Sequence, residues 1–243
     1  MDSLYIVMPA YNEEANIEAV VKDWYKILEG KDPASRLVVA DSGSTDSTHE
    51  LLVKMQENYP QLEILTDCEK QHGPKLLALY QYAIDRKADY IFQTDSDGQT
   101  DPGEFDKFWE LRGRYEAVVG KRPVRGDGAS RLFVEKVLCL LLQLNFGVRV
   151  PDANAPFRLM KRGLVARHID RFPENYDIPN AVVTAFFVYF KENITFLDIT
   201  FKPRQGGTNS INVKRIIQIG KKAVSDFYGF RKALKNSNKD SNK

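Results

Sequence analysis

The sequence predicts an α/β fold: a mixed, mostly parallel central sheet with helices on both faces, closed by a basic amphipathic helix. Three observations predict it. Short apolar runs alternate with segments of helical spacing about 10–15 residues long, the pattern of βαβ units. The first, second and fourth runs end in polar, acid-bearing exits, which such a sheet gathers at one edge, where ligands bind. The composition is that of a globular chain, 43% apolar and 28% charged over 243 residues, enough for one large domain.

Leu4–Met8 is a short apolar strand, broken by Pro9-Ala10-Tyr11-Asn12-Glu13-Glu14. Asn16–Leu28 sets Ile17, Val20, Val21, Trp24 and Leu28 at helical spacing. Arg36–Ala40 is a second strand, and Asp41-Ser42-Gly43-Ser44-Thr45-Asp46 is its polar exit. A helix over Thr48–Tyr59 and a strand over Leu62–Thr66 follow. His72-Gly73-Pro74-Lys75 leads into a helix at Leu76–Arg86, and Ala88–Thr94 is the fourth strand. Asp101-Pro102 reads as a helix cap followed by Pro at the first helical position.

The second half is less regular. Ala117–Gly120 is a strand, and Lys121–Arg131 is a basic loop with Arg122, Arg125 and Arg131. Arg131–Phe146, dense in Leu, Val and Phe, reads as a core helix; partial insertion into a membrane interface is the alternative. A polar turn at Asp152–Arg158 enters another short strand. Ile178–Phe190 is a helix, Ile194–Lys202 a strand and Arg204–Asn209 a loop. Asn212–Leu234 is a last helix with Val213, Ile216, Ile217, Val224, Phe227 and Leu234 on one side and Lys and Arg elsewhere. The expected organisation is one unit over 1–210, in halves 1–115 and 116–210, then the basic amphipathic helix 211–235 and a disordered tail 236–243.

Charge is unevenly spread. Residues 202–243 hold eleven Lys or Arg against two Asp, a net of +9, which leaves −7 for the rest of a chain whose total is +2. An anionic partner for the C-terminal stretch is one reading, and a solvated basic tail is the other. The last helix, apolar on one side and basic around it, suits a bilayer interface, with docking to the chain's own core or to a partner as the alternative. The two cysteines, Cys68 and Cys139, have no metal spacing and suit a reducing compartment. No basic region followed by a long apolar stretch opens the chain, so no secretory signal is expected. The apolar, uncharged run Val137–Val148 falls short of the roughly 20 residues needed to span a bilayer.

The acidic turn after the fourth strand is the strongest chemical feature. Asp95 and Asp97, one residue apart with Ser96 between them, can converge on one hard cation such as Mg²⁺ or Mn²⁺. Gln99 offers a further oxygen, and Gly98 allows the sharp turn. Asp41 and Glu13 are acceptors for a base or ribose, Tyr11 offers a ring for stacking, and Lys75 at a helix start suits phosphate. Together these groups describe a nucleoside-diphosphate site. No Gly-x-Gly-x-x-Gly follows the first strand and no Walker-type loop is present, which argues against a dinucleotide fold and a P-loop. His49, His72 and His168 are scattered and receive no role.

The runs MPAYNEEANI, VVADSGSTDST, DSDGQTDP and DANAPFRL, in this order, resemble family-2 glycosyltransferases of the GT-A fold, a Rossmann-like sheet. The resemblance spans about Leu4–Asn209 and is closest to the branch of dolichyl- and polyprenyl-phosphate sugar synthases. It implies a nucleotide-sugar donor and a divalent cation, Mg²⁺ or Mn²⁺. By position, Pro9, Ala10, Tyr11 and Glu13 look like the first nucleotide-binding loop, and Asp41 like the acid that contacts base or ribose. Asp95, Ser96 and Asp97 look like the metal and diphosphate turn, with Gln99 an added ligand. Arg122, Arg131 and Arg204 fall where that branch holds phosphates, and Asp152 and Arg158 match its Asp–Phe-Arg turn. The sequence departs from the pattern at Ser42, where many relatives carry a second Asp, and at His72–Lys75, which is not the commoner Gly-rich form.

The mechanism then forks. A lipid phosphate acceptor is already an anion and needs arginines to position it. A saccharide hydroxyl needs a carboxylate base, for which Asp152 is the candidate, with Asp127 behind it. Inversion at the sugar carbon is what the resemblance implies. A nucleotidyltransferase or an inactive nucleotide-sugar-binding module is the alternative of another class. Structural readings stand beside these: Asp41 as a helix cap, Arg131 as a surface residue, Arg158 paired with Asp152, Tyr11 as packing. The expected location is cytoplasmic, peripheral at the cytoplasmic face of a membrane, with no nucleic acid partner; the sequence leaves oligomeric state open.

Overall fold

The structure is a computed structural model that describes residues 1–124, 129–173, 175–203 and 213–240, with the side chains of 129–131, 213–219, 221 and 235–240 outside the description. In chain order the elements are β1 (Leu4–Ala10), α1 (Ile17–Tyr25), β2 (Arg36–Asp41), α2 (Thr48–Gln56), β3 (Leu62–Leu65), α3 (His72–Asp85) and β4 (Tyr90–Gln93). The short α4 (Phe105–Trp109), β5 (Ala117–Lys121), α5 (Ala129–Phe146), β6 (Arg158–Lys161), α6 (Arg162–Ile169), α7 (Pro179–Tyr189), β7 (Ile194–Asp198) and α8 (Val213–Asp240) follow.

The described strands form one sheet in the order β3-β2-β1-β4-β6-β5-β7. Only β6 runs against its neighbours β4 and β5; the other pairings are parallel. The sheet is therefore mixed and mostly parallel, as the alternation of strands and helices predicts. The buried strand β1 shows why it sits in the middle. Leu4, Ile6 and Met8 face one way, into a cluster with Val21 and Trp24 of α1. Tyr5 and Val7 face the other way, against Leu76, Leu79 and Tyr80 of α3. A strand that is apolar on both faces needs a helix layer on each. A third cluster joins Leu142 and Phe146 of α5, Phe186 of α7, and Ala223 and Phe227 of α8.

The topology fixes where a ligand can enter. From β1 the chain builds outward to β2 and β3, then returns to place β4 on the other side of β1. Strand order reverses between β1 and β4, and a crevice opens at their carboxyl ends. Pro9, Ala10 and Asp95 lie at that edge, and Asp41 ends β2 beside it.

Four local expectations differ from the structure. His72-Gly73-Pro74-Lys75 is not a lead-in but the first turn of α3, where Pro74 is tolerated because first-turn N–H groups have no helical acceptor. Gly73 is required there: a Cβ would lie 2.1 Å from the Tyr176 carbonyl oxygen. Strand β7 ends at Asp198 rather than Lys202, because Thr200 turns to donate its N–H to Glu104 Oε2 at 2.9 Å. The helix α6, opening with Arg162-Gly163, is additional. Helix α5 is a core helix on one side only: Leu142 and Phe146 are buried, but Phe133, Leu140 and Leu144 are exposed.

Candidate active site

The loops after β1 and β2 are lashed into one unit. The Glu13 N–H donates to Thr48 Oγ1 at 2.8 Å, the Asn12 N–H to Ser44 Oγ at 3.1 Å, and the Thr45 N–H to Asn12 Oδ1 at 2.8 Å. Asn12 takes a positive φ of 53°, a conformation that Asn tolerates better than most residues. Asp41 is buried at the end of β2, accepting from Ser44 Oγ at 2.5 Å and meeting His49 Nδ1 at 3.1 Å. It does not cap α2. Asp46 serves that end instead, its Oδ1 accepting from the Thr48 N–H at 3.0 Å. His49, given no role by its sequence spacing, is thus placed beside Asp41 in the first turn of α2.

Lys75 reaches up from α3 beneath these loops. Its ammonium is buried and donates to the Ala10 carbonyl at 2.5 Å. It also lies 5.4 Å from the Tyr11 ring centre, and Lys70 lies 4.7 Å from the same ring. Burial draws the Lys75 ammonium below the ordinary lysine range, and Asp41 opposes this. The geometry gives Lys75 a positioning task at the end of β1, and Tyr11 presents a ring flanked by two cations.

The turn after β4 carries the acids. Ser96 Oγ donates to the Pro9 carbonyl at 2.8 Å, tying this turn to the first loop. Burial first, then the Asp97 carboxylate, raise the Asp95 carboxyl above its ordinary range, while Arg122 and Arg158 act the other way. Asp95 Oδ1 is buried with no hydrogen-bond partner. Two carboxylates in mutual repulsion, one with an orphaned buried oxygen, fit a divalent cation that would satisfy both. Among the described residues no three His, Cys, Asp or Glu side chains converge as a protein-only cage, which suits Mg²⁺ or Mn²⁺ completed by phosphate and water. Gln99 donates its amide N–H to the Lys202 carbonyl at 2.8 Å and accepts the Lys202 N–H at its own carbonyl at 2.8 Å. It therefore fastens the exit of β7 to the acidic turn. Asp101 caps the next turn through the Gly103 N–H at 3.0 Å, as its Pro102 neighbour predicts.

The second half contributes a buried ion cluster. Asp152 Oδ2 accepts from Arg122 Nε at 2.7 Å and from the Arg122 N–H at 3.1 Å; Oδ1 accepts from Arg122 Nη2 at 2.9 Å and the Asn154 N–H at 3.1 Å. Burial alone would raise the Asp152 carboxyl, but these donors hold it below the ordinary range. Glu135 of α5 accepts the Ala153 N–H at 2.7 Å, and its other oxygen lies 3.7 Å from Arg122 Nη2. Sequence reasoning passed over Glu135, although it is the only acid in the Arg131–Phe146 run. Arg158 does not take Asp152 as its hydrogen-bond partner. It is fully buried and donates to the carbonyls of Ala155 and Asn180. Arg122 faces Asp152 and the Phe201 ring, 4.9 Å away. Arg125, Asp127 and Arg204, and the side chain of Arg131, lie outside the described residues.

Residues 5–169 match the sequence profile of Glycosyl transferase family 2. The chain belongs to this family. An undecaprenyl-phosphate 4-deoxy-4-formamido-L-arabinose transferase of Pseudomonas paraeruginosa (strain DSM 24068 / PA7) is 26% identical over 166 residues, 68% of this chain and 49% of that one. A dolichyl-phosphate beta-glucosyltransferase of Dictyostelium discoideum is 25% identical over 202 residues, 73% of this chain and 62% of that one. The chain thus spans about half to three-fifths of the length of these relatives. The glucosyl-3-phosphoglycerate synthase of Mycobacterium tuberculosis, solved with Mn²⁺, uridine-diphosphate-glucose and phosphoglyceric acid, shares the fold. Its TM-score is 0.69 at 18% identity, covering 94% of this chain and 80% of that one. The family-2 profile ends at residue 169, so α7, β7 and α8 lie beyond it.

Proposed function

We propose that this family-2 domain is a metal-dependent, inverting glycosyltransferase that moves a sugar from a nucleoside-diphosphate sugar to a polyprenyl phosphate. The observation that carries the choice of acceptor is the state of Asp152. A general base needs a free lone pair and a pKa near the working pH. Asp152 has four donors on its two oxygens and a lowered pKa. It is therefore a clamp on Arg122 and not a proton acceptor. A phosphate acceptor needs none: its oxygen attacks the anomeric carbon, the bond to the diphosphate oxygen breaks, and no proton moves. A single in-line attack inverts that carbon. Both relatives carry a polyprenyl phosphate in their names, which supports the same choice.

The chain's own residues then divide the work. Asp41, Glu13 and Tyr11 take the nucleoside, on loops held by Lys75 and Ser96. Asp95 and Asp97, with Gln99 beside them, are the residues that would hold Mg²⁺ or Mn²⁺, which when bound neutralises a departing diphosphate as a Lewis acid. Arg131 and Arg204 are the proposed holders of the acceptor phosphate, and Arg122 fixes the backbone that leads toward Arg131. The domain works at the cytoplasmic face of a membrane, held peripherally; among the described residues no helix is long and apolar enough to cross one. The test is a panel of nucleotide sugars with Mn²⁺ or Mg²⁺, with and without polyprenyl phosphate. Nucleoside diphosphate released only with the lipid phosphate supports the proposal. Transfer to a saccharide hydroxyl alone, or release of pyrophosphate, overturns it.

A further inference from the structure

The outward side of α5 is apolar and uncovered. Phe133, Val137, Leu140 and Leu144 recur at helical spacing along one stripe and are 68%, 38%, 53% and 64% exposed. On the opposite side of the same helix, Glu135, Leu142 and Phe146 are buried. Helix α8 packs alongside, with Phe227 and Phe146 ring centres 5.7 Å apart. Its Val224 and Tyr228, 47% and 65% exposed, adjoin that contact. Lys136 on α5 and Arg231 and Lys232 on α8 are exposed. Scattered exposed apolar residues are ordinary, but apolar stripes on two neighbouring helices that also carry exposed basic groups mark an interaction surface.

We propose that this face, α5 in the lead with Val224 and Tyr228 of α8 beside it, seats in the interfacial zone of an anionic lipid surface. Charge selects the occupant. Helix α8 carries eight Lys or Arg against two Asp. A second copy docking face to face would bring two such helices together, whereas anionic headgroups attract them. The surface is wired to the site: the helix that meets lipid on one side presents Glu135 to Ala153 and Arg122 on the other. A lipid phosphate lying at headgroup level would arrive beside that cluster. The inference deepens the lipid-acceptor reading and rests on it for what is delivered.

The experiment floats the whole chain, without substrates, on phosphatidylcholine vesicles with and without phosphatidylglycerol. It compares wild type with a variant carrying Phe133→Gln, Leu140→Gln and Leu144→Gln. The expected result is flotation on anionic vesicles that weakens roughly tenfold for each apolar side chain replaced. A Phe133→Trp variant should be quenched by brominated lipid. In parallel, the triple variant should turn over a short, water-soluble prenyl phosphate at the wild-type rate. No flotation of the wild type, unchanged flotation of the triple variant, or a dimer that the triple variant splits would overturn the proposal. Flotation without turnover of any prenyl phosphate would leave the docking surface standing and defeat the acceptor reading alone.

Discussion

Replacing Asp152 with Asn separates a buried clamp from a general base. The Arg122 and Asp152 side chains are 3% and 4% exposed and meet through bonds of 2.7 and 2.9 Å. The substitution keeps the shape and one acceptor oxygen but removes the charge. The guanidinium then stays buried, with the Glu135 carboxylate 3.7 Å away. Breaking a buried ion pair from one side costs about 3–5 kcal/mol, and the surviving acceptors place this case near the lower end, about 3 kcal/mol. In a chain of this length each kcal/mol lowers Tm by roughly 2–4 °C, so the expected fall is about 6–12 °C. Turnover per folded molecule should drop less than about tenfold, against the roughly 10²–10⁴ expected when a general base is removed.

The pH dependence gives a second readout. Asp152 has a folded-state pKa below its unfolded value of 3.8. Its contribution is therefore present above 3.8 and is lost as pH falls through the lowered value. The gap in Tm between wild type and variant should close in acid. Scanning fluorimetry across pH and kcat at matched folded fraction make the assay. A variant with wild-type Tm and a kcat at least about a hundredfold lower would refute the clamp and restore Asp152 as base.

Asp97→Asn removes the like charge beside Asp95, so the metal-free variant should melt above the metal-free wild type, and Mn²⁺ should raise Tm only in the wild type. Asp95 has a raised folded-state pKa, so metal-free stability should fall as pH rises from 3.8 through that value. Mn²⁺ should flatten the slope, and an equal Mn²⁺ shift in the variant would contradict the assignment. Gly73→Ala drives a Cβ toward the Tyr176 carbonyl and should cost about 1–3 kcal/mol in urea unfolding; an unchanged midpoint would show that the approach is not tight. Lys75→Met removes a charge-assisted bond of about 1.5–3 kcal/mol beneath the first loop. Calorimetry should then show nucleotide binding weakened roughly tenfold or more with acceptor KM unchanged, and the reverse split would reassign Lys75 to the acceptor.

The parallel half was legible because its signals are local. Leu4–Met8, Arg36–Ala40 and Ala88–Thr94 each announce a buried strand by composition, and each polar exit follows its own strand. Sheet topology then brings Glu13, Asp41 and Asp95 to one edge without any further information from the chain. The acceptor half was less legible because its meaning lies in distant pairs. Arg122 in a basic loop reads as an anion holder, and Asp152 in a polar turn reads as a base. They are 30 residues apart, and only β5 and the turn before β6 bring them within 2.7 Å. Their mutual pairing is a property of the folded chain that neither residue type announces.

Helix α5 shows the same limit from the apolar side. Its Leu, Val and Phe content reads as burial, yet hydrophobicity does not say which neighbour covers a face, and Phe133, Leu140 and Leu144 stay exposed. The lone Glu135 is the residue that carried the missing information. An acid placed among apolar residues must find a donor on the protein side. The Ala153 N–H and the Cys139 thiol donate to it, and the Arg122 guanidinium pairs with its charge from 3.7 Å. The helix therefore turns its Glu135 side inward, and the stripe of Phe133, Val137, Leu140 and Leu144 is the side left to face outward. Glu135→Leu should remove that preference: if the acid orients the helix, brominated-lipid quenching of the Phe133→Trp probe should fall in the double variant, and unchanged quenching would show that packing of Leu142 and Phe146 alone sets which side meets the bilayer.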